Sequence, residues 1–197
     1  MQTMNAVKMA HHILLDKLAT AKCVVDATAG NGNDTLFLAR NTCDQAVVWA
    51  FDIQEAALVK TERLLLANSL SGKVRLILDS HANIGKYIDD SIDVAMFNLG
   101  YLPGYGHEIT TQPYFTLIAL QQILNRLSVG GLVSLVAYPG HSTGYDEHIE
   151  LQKVFCEMPQ NVYTVGCWSM VNHVKCPPVL YVIEKVRSEA REGSASR

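Results

Sequence analysis

The chain has 197 residues, 49% of them hydrophobic and 18% charged, with a formal net charge of −3. That supplies a substantial core for one α/β domain and excludes a disordered chain. It also lacks the strongly basic balance of a protein that coats nucleic acid, although a small RNA-modifying site needs only a local basic patch.

No apolar run approaches membrane-spanning length. Polar and charged residues interrupt the apolar pattern of residues 1–18, so this segment does not read as a signal peptide. The five cysteines (Cys23, Cys43, Cys156, Cys167, Cys176) form no CxxC pair. Free thiols in a reducing cytoplasm are expected, with no metal site and no disulfide framework.

Taken in order, residues 4–18 place Val7, Ala10, Leu14 and Leu18 at helical spacing, which predicts an amphipathic leading helix. His11 and His12 within it read as exposed or core-edge residues. Residues 23–27 are a first strand, and a helix begins near Asp34. Residues 46–51 form a second strand ending on Asp52, followed by a helix over 55–68. A third strand, 74–78, is followed by Asp79-Ser80-His81, where Ser80 suits a helix cap. A fourth strand, 92–97, empties into Asn98-Leu99-Gly100-Tyr101-Leu102-Pro103-Gly104.

Residues 113–127 carry a helical leucine stripe, stopped by Gly130-Gly131, and 132–138 form a fifth strand. A helix from Thr143 or Gly144 to about Cys156 precedes two more strands, 162–170 and 179–186. Alternating strands and helices imply a mostly parallel sheet with right-handed crossovers, closed by an antiparallel last strand. The expected fold is therefore α/β and Rossmann-like: a seven-stranded sheet with helices on both faces. One domain over residues 1–187 with a polar tail, 188–197, is expected.

The first βα turn reads Asp26-Ala27-Thr28-Ala29-Gly30-Asn31-Gly32-Asn33-Asp34-Thr35. Glycines one residue apart suit positive φ and close backbone approach to a nucleotide-like ligand. A phosphate loop needs Lys-Ser/Thr after its last glycine, and Asn33-Asp34-Thr35 stands there instead. A dinucleotide fingerprint wants a third glycine where this chain has Thr35, and Asp26 would repel a pyrophosphate. S-adenosylmethionine (SAM) has no phosphate and carries an ammonium, which suits an acid, three residues, then GxG. Asp52, followed by Gln54, is placed to accept ribose hydroxyls, and Asp79 or Ser80 to sit by the adenine edge. The same acids and hydroxyls also serve as helix N-caps, Asp34 and Ser80 above all.

Amino-directed methyltransferases present an Asn/Asp-Pro-Pro-aromatic loop after the fourth strand. Asn98 would hold the target nitrogen and Tyr101 would stack on the substrate, with the Pro-Pro missing. A Gly/Pro turn with a surface tyrosine explains the same residues. His107 is a candidate proton relay if the amine arrives as an ammonium. Tyr138-Pro139-Gly140-His141, with Gly144 and Glu147, leaves the fifth strand on the same edge, where His141 would contact substrate or methionine. Asn172, near Pro177-Pro178, would wall the pocket.

These three motifs resemble the YtqB-type rRNA methylase family over residues 12–184: Val-Asp-Ala-Thr-Ala-Gly-Asn-Gly-Asn-Asp-Thr, Asn-Leu-Gly-Tyr-Leu-Pro-Gly with Thr110-Thr111, and Tyr-Pro-Gly-His-x-x-Gly-x-x-Glu. The resemblance implies a class I SAM-dependent methyltransferase. Its MnmM-type members methylate the amine of wobble 5-aminomethyl-2-thiouridine in tRNA. It implies a SAM site on Asp26, Gly30, Gly32, Asp52 and Asp79-Ser80-His81, and an acceptor loop on Asn98, Tyr101 and Pro103, with Thr111 a further candidate substrate contact. The tRNA anticodon arm is the implied partner, and a homodimer the implied assembly. One departure stands out: where the family often has Gly-Gly-Asp/Asn after Leu-Pro, this chain has Gly104-Tyr105-Gly106-His107. Methylation of an rRNA base or a small-molecule amine, and a non-catalytic SAM- or nucleotide-binding module, are the alternatives.

Overall fold

The computed structural model describes residues 4–100, 113–140 and 142–188. Seven strands form one sheet: β1 (Cys23–Asp26), β2 (Val47–Asp52), β3 (Val74–Leu78), β4 (Ile92–Leu99), β5 (Leu127–Ala137), β6 (Tyr163–Trp168) and β7 (Val179–Lys185). Their spatial order is β3-β2-β1-β4-β5-β7-β6. β1 to β5 pair in parallel, and β7 is antiparallel to both β5 and β6. The chain order reverses between β1 and β4, which makes the ends of these two strands the natural crevice for a ligand.

Helices α1 (Ala6–Leu18), α2 (Asn33–Asn41) and α3 (Glu55–Ala67) cover one face, and α4 (Pro113–Arg126) and α5 (Ser142–Glu157) the other. Strand β4 shows why both faces are needed. Val94 and Met96 pack with Leu14 and Leu38 beneath α1 and α2, while Ala95, Phe97 and Leu99 pack with Leu120 and Ile123 beneath α4. Alternate residues point to opposite faces, so a strand apolar at four successive positions, 94–97, must be covered on both.

Helix α4 passes into β5 without a loop. Gly130-Gly131, expected to separate them, sits inside the strand instead, with Gly130 at φ 74°. Pairing with β4 shifts register there, between Ile92 and Val94. A Cβ on Gly131 would lie 2.8 Å from the Ser128 carbonyl oxygen. The glycines thus absorb a bulge rather than ending a helix. β6 is also shorter than the expected 162–170, and the following loop, 169–178, emerges at the carboxyl edge of the sheet, near the end of β5.

Candidate active site

The loop after β1 is built from behind by Asp26. Its Oδ1 accepts the Thr28 N–H at 3.0 Å and its Oδ2 the Thr35 hydroxyl at 2.6 Å. Asp26 and Thr35 are both 0% exposed. From that position they hold the curvature of the loop. Burial, followed by the charge of Asp34, pushes the Asp26 carboxyl up to about 7 against the pull of its two hydrogen bonds.

Gly30 and Gly32 take φ of 52° and 81°. Asn31 and Asn33 are exposed on the rim. Gly32 is the N-cap of α2, so no side chain caps that helix. Across the loop stands Asp52 at the end of β2. Its Oδ2 accepts the Gly30 N–H at 2.8 Å and its Oδ1 the Gln54 N–H at 2.9 Å. Each oxygen retains acceptor capacity for a ligand hydroxyl. Gln54, half-buried, opens α3 as its N-cap residue.

The β3 turn distributes its three residues unequally. Asp79 accepts from the Ser80 N–H, the Asn83 side-chain amide and the Tyr87 hydroxyl. These bonds, Asn83 first, hold its carboxyl below the usual range. Ser80 caps the short 3-10 turn His81–Lys86 by accepting the Ala82 N–H. Both therefore close the turn, the capping role that competes with an adenine contact. His81 differs: its ring meets Phe97 edge-on at 6.1 Å, and its Nε2 is buried without a hydrogen-bond partner among the described residues. Burial holds its pKa below the ordinary value. Gln122 of α4 clamps this turn from the opposite face, accepting the Gly85 N–H and donating to the Ala82 carbonyl, each at 2.6 Å.

At the end of β4, Asn98 joins the two sides. Its backbone N–H donates to Thr28 Oγ1 at 2.8 Å, tying the first loop to the fourth strand. Its Nδ2 donates to Asp34 Oδ2 at 2.9 Å, and its Oδ1 accepts the Tyr138 hydroxyl at 2.8 Å. His11 Nε2 meets the other Asp34 oxygen at 2.7 Å. Tyr138 is fixed in turn by its backbone, because a Cβ on Gly144 would stand 2.2 Å from the Tyr138 carbonyl oxygen. Only glycine lets α5 press so close. Glu147, one turn on, is buried and accepts the Thr116 hydroxyl at 2.8 Å, joining α5 to α4.

Tyr101, Pro103, His107, Thr111 and His141 lie outside the described residues. Asn172 is exposed in the loop 169–178, which borders the site where a Cβ on Gly140 would lie 3.4 Å from the Cys176 carbonyl oxygen. The residues that sequence reasoning missed are His11 and Tyr138. Tyr138 stood inside a motif already singled out, with His141 favoured over it. His11 carried no signal, because it reaches Asp34 only through tertiary packing.

The charges that bear on Asp26 come from Asp34 and Asp52, both carboxylates. Such a loop repels a pyrophosphate and suits a ligand that carries an ammonium and a sulfonium. This fits SAM.

Comparison with known proteins agrees. Residues 48–184 match the family described as "Putative rRNA methylase". A tRNA (mnm(5)s(2)U34)-methyltransferase, chloroplastic, from Arabidopsis thaliana is 32% identical over 191 residues, covering 92% of this chain and 70% of that protein. An rRNA-methylase structure from Clostridium thermocellum superposes with a TM-score of 0.90 at 37% identity, covering 94% of this chain and 100% of that one. A methyltransferase from Streptococcus mutans in complex with SAH gives 0.85 at 38% identity, covering 93% and 99%. The chain therefore belongs to this rRNA methylase family, and it is a Rossmann-like, SAM-dependent methyltransferase.

Proposed function

We propose that this protein methylates the amine of wobble 5-aminomethyl-2-thiouridine in tRNA, giving the 5-methylaminomethyl form. The observation that carries this is the Asn98 amide, held between Asp34 and Tyr138 at the point where the strand order reverses. The printed activity of the Arabidopsis relative supplies the nucleoside. Asp52 would hold the ribose of SAM, His81 its adenine edge, and the Gly30–Gly32 backbone its methionine end. When bound, SAM supplies a methyl group activated by a sulfonium.

The chain's own residues then position and desolvate the acceptor. Asn98 Oδ1 uses one lone pair for the Tyr138 hydroxyl. The other is available for an amine N–H, which would aim the nitrogen lone pair at the methyl group. An aliphatic ammonium must lose a proton before that lone pair exists, and His107 is our candidate for the relay.

The partner in this reading is the tRNA anticodon arm. The loop 169–178 supports it: this stretch has no acid, and it exposes His173 and Lys175 at the carboxyl edge. Such a rim suits a polyanion. Tyr101, Pro103, Thr111, His141 and Asn172 are the proposed substrate contacts. The family resemblance further suggests a homodimer. Cysteines that are all free support a cytoplasmic enzyme. No helix among the described residues is long and apolar enough to cross a membrane.

Mass spectrometry of tRNA nucleosides from a strain lacking the gene tests the reading. We expect 5-aminomethyl-2-thiouridine to accumulate, and to disappear when the gene is restored. Unchanged nucleosides would overturn it.

A further inference from the structure

His11 belongs to α1, which precedes the first βα unit and lies outside the matched residues 48–184. The buried stripe of α1 is Ala6, Ala10, Leu14 and Leu18, so packing of the helix does not call for a histidine at position 11. Its ring nonetheless stacks on Phe37 with centroids 3.7 Å apart and planes 4° from parallel. That stack holds the ring still and directs Nε2 at Asp34 Oδ1, 2.7 Å away.

The polarity of the hydrogen bonds beyond this contact follows from the chemistry of each group. An ionised carboxylate only accepts, so His11 must donate from Nε2, and Asn98 must turn its amide nitrogen toward the other Asp34 oxygen. The Asn98 oxygen then faces Tyr138, whose hydroxyl donates to it. A flipped amide would set oxygen against carboxylate and lose that bond, and it would present its nitrogen instead of its oxygen on the Tyr138 side. The anchor of this arrangement is Asp34, a buried carboxylate whose side chain is 9% exposed and which lies close to the Asp26 carboxylate. A carboxylate in that position needs donors on both oxygens to keep one orientation.

We propose that His11 is a positioning residue of the methyl-transfer site: by donating to Asp34 it fixes the carboxylate that keeps the Asn98 oxygen turned toward the acceptor amine. This rests on the reading of Asn98 given above. His11 itself touches neither methyl donor nor acceptor. Its contribution is orientation, worth what a misplaced reacting group costs.

The test uses His11→Ala and His11→Gln in the full-length protein, assayed on tRNA carrying 5-aminomethyl-2-thiouridine. Glutamine can place an N–H donor where His11 Nε2 stands, but it does not titrate. His11→Ala is expected to lower kcat by roughly 10- to 100-fold while the Kd for SAM, measured calorimetrically, changes less than about threefold. His11→Gln is expected to recover most of that loss and to keep the wild-type pH profile.

Unchanged turnover in His11→Ala overturns the proposal. So does equal impairment of both variants with SAM affinity retained, which would make the imidazole itself the active group. A fall in SAM affinity that matches the fall in kcat overturns it too. Crystals of both variants give a readout independent of the substrate: the Asn98 amide should move in His11→Ala and stay in place in His11→Gln. If wild-type protein leaves this tRNA unmethylated, the reading of the substrate fails, while the position of the Asn98 amide still decides the role of His11.

Discussion

The carboxyl edge of the sheet has two halves built in different ways. On the side of β1 to β3, acidic side chains hold backbone N–H groups: Asp26 holds Thr28, Asp52 holds Gly30 and Gln54, and Asp79 holds Ser80. On the side of β4 and β5, side chains hold one another, from His11 through Asp34 and Asn98 to Tyr138. In the reading proposed here, the first half holds the cofactor and the second orients the acceptor. Binding and turnover should therefore respond separately to substitution.

The sharpest break is between Asn98 and Asp52. Asn98→Ala should lower turnover by about 100-fold or more and leave SAM affinity within about threefold, because only acceptor orientation is lost. Asp52→Ala should instead weaken SAM by roughly 10- to 100-fold, since it removes a charged acceptor and frees the Gly30 N–H. Steady-state kinetics paired with calorimetry checks both. Equal loss of SAM affinity in the two variants would show that the halves are misassigned.

A smaller effect, on stability, should come from Gly32→Ala. Its φ of 81° disfavours an L side chain, and the new Cβ would lie 2.9 Å from Thr61 Cα and 2.8 Å from its Oγ1. Strain and overpacking together are expected to cost about 2–3 kcal/mol and to lower Tm by roughly 5–10 °C. Thermal melts with and without SAM would show the first half weakening.

A further effect on stability is the pH dependence carried by Asp26. Its folded pKa, raised to about 7, lies above the ordinary carboxyl value, so the folded state binds the proton more tightly than the unfolded one. Stability from this group is then fully present below about pH 4 and falls as pH rises through about 7. Asp26→Asn, neutral at every pH, should remove that fall. The Tm of wild type minus that of the variant should therefore decline between about pH 4 and 7. A difference that stays flat or rises would contradict the sign.

The contrast between Asp26 and Asp79 shows how far sequence reasoning reached. Both acids close strands and look equivalent in the chain. One is sealed beneath a loop with its carboxyl pushed up, and the other sits at the last strand of the sheet with its carboxyl pulled down by donors. Burial decides the difference, and burial is a property of neighbours that the motif does not contain. The glycine pair at 130–131 teaches the same lesson: its conformational freedom was evident, but its use as a bulge depended on the register against β4.

By itself, the sequence determined the strand and helix order, the α/β sheet with its antiparallel strand, the glycine turn after β1, and the acids that end three successive strands. These follow from apolar period, turn chemistry and hydrogen bonds between residues close in the chain, such as Asp26 with Thr28 or Asp52 with Gln54. What only the tertiary structure decided is the set of contacts across long separations: His11 with Asp34, 23 residues apart; Asn98 with Asp34, 64 apart; Tyr138 with Asn98, 40 apart. No local pattern encodes such pairs. They exist because parallel pairing sets β1, β4 and β5 side by side, with Asp26 opposite Met96 and Leu99 opposite Ala137, and because α1 packs across β4, β5 and β7.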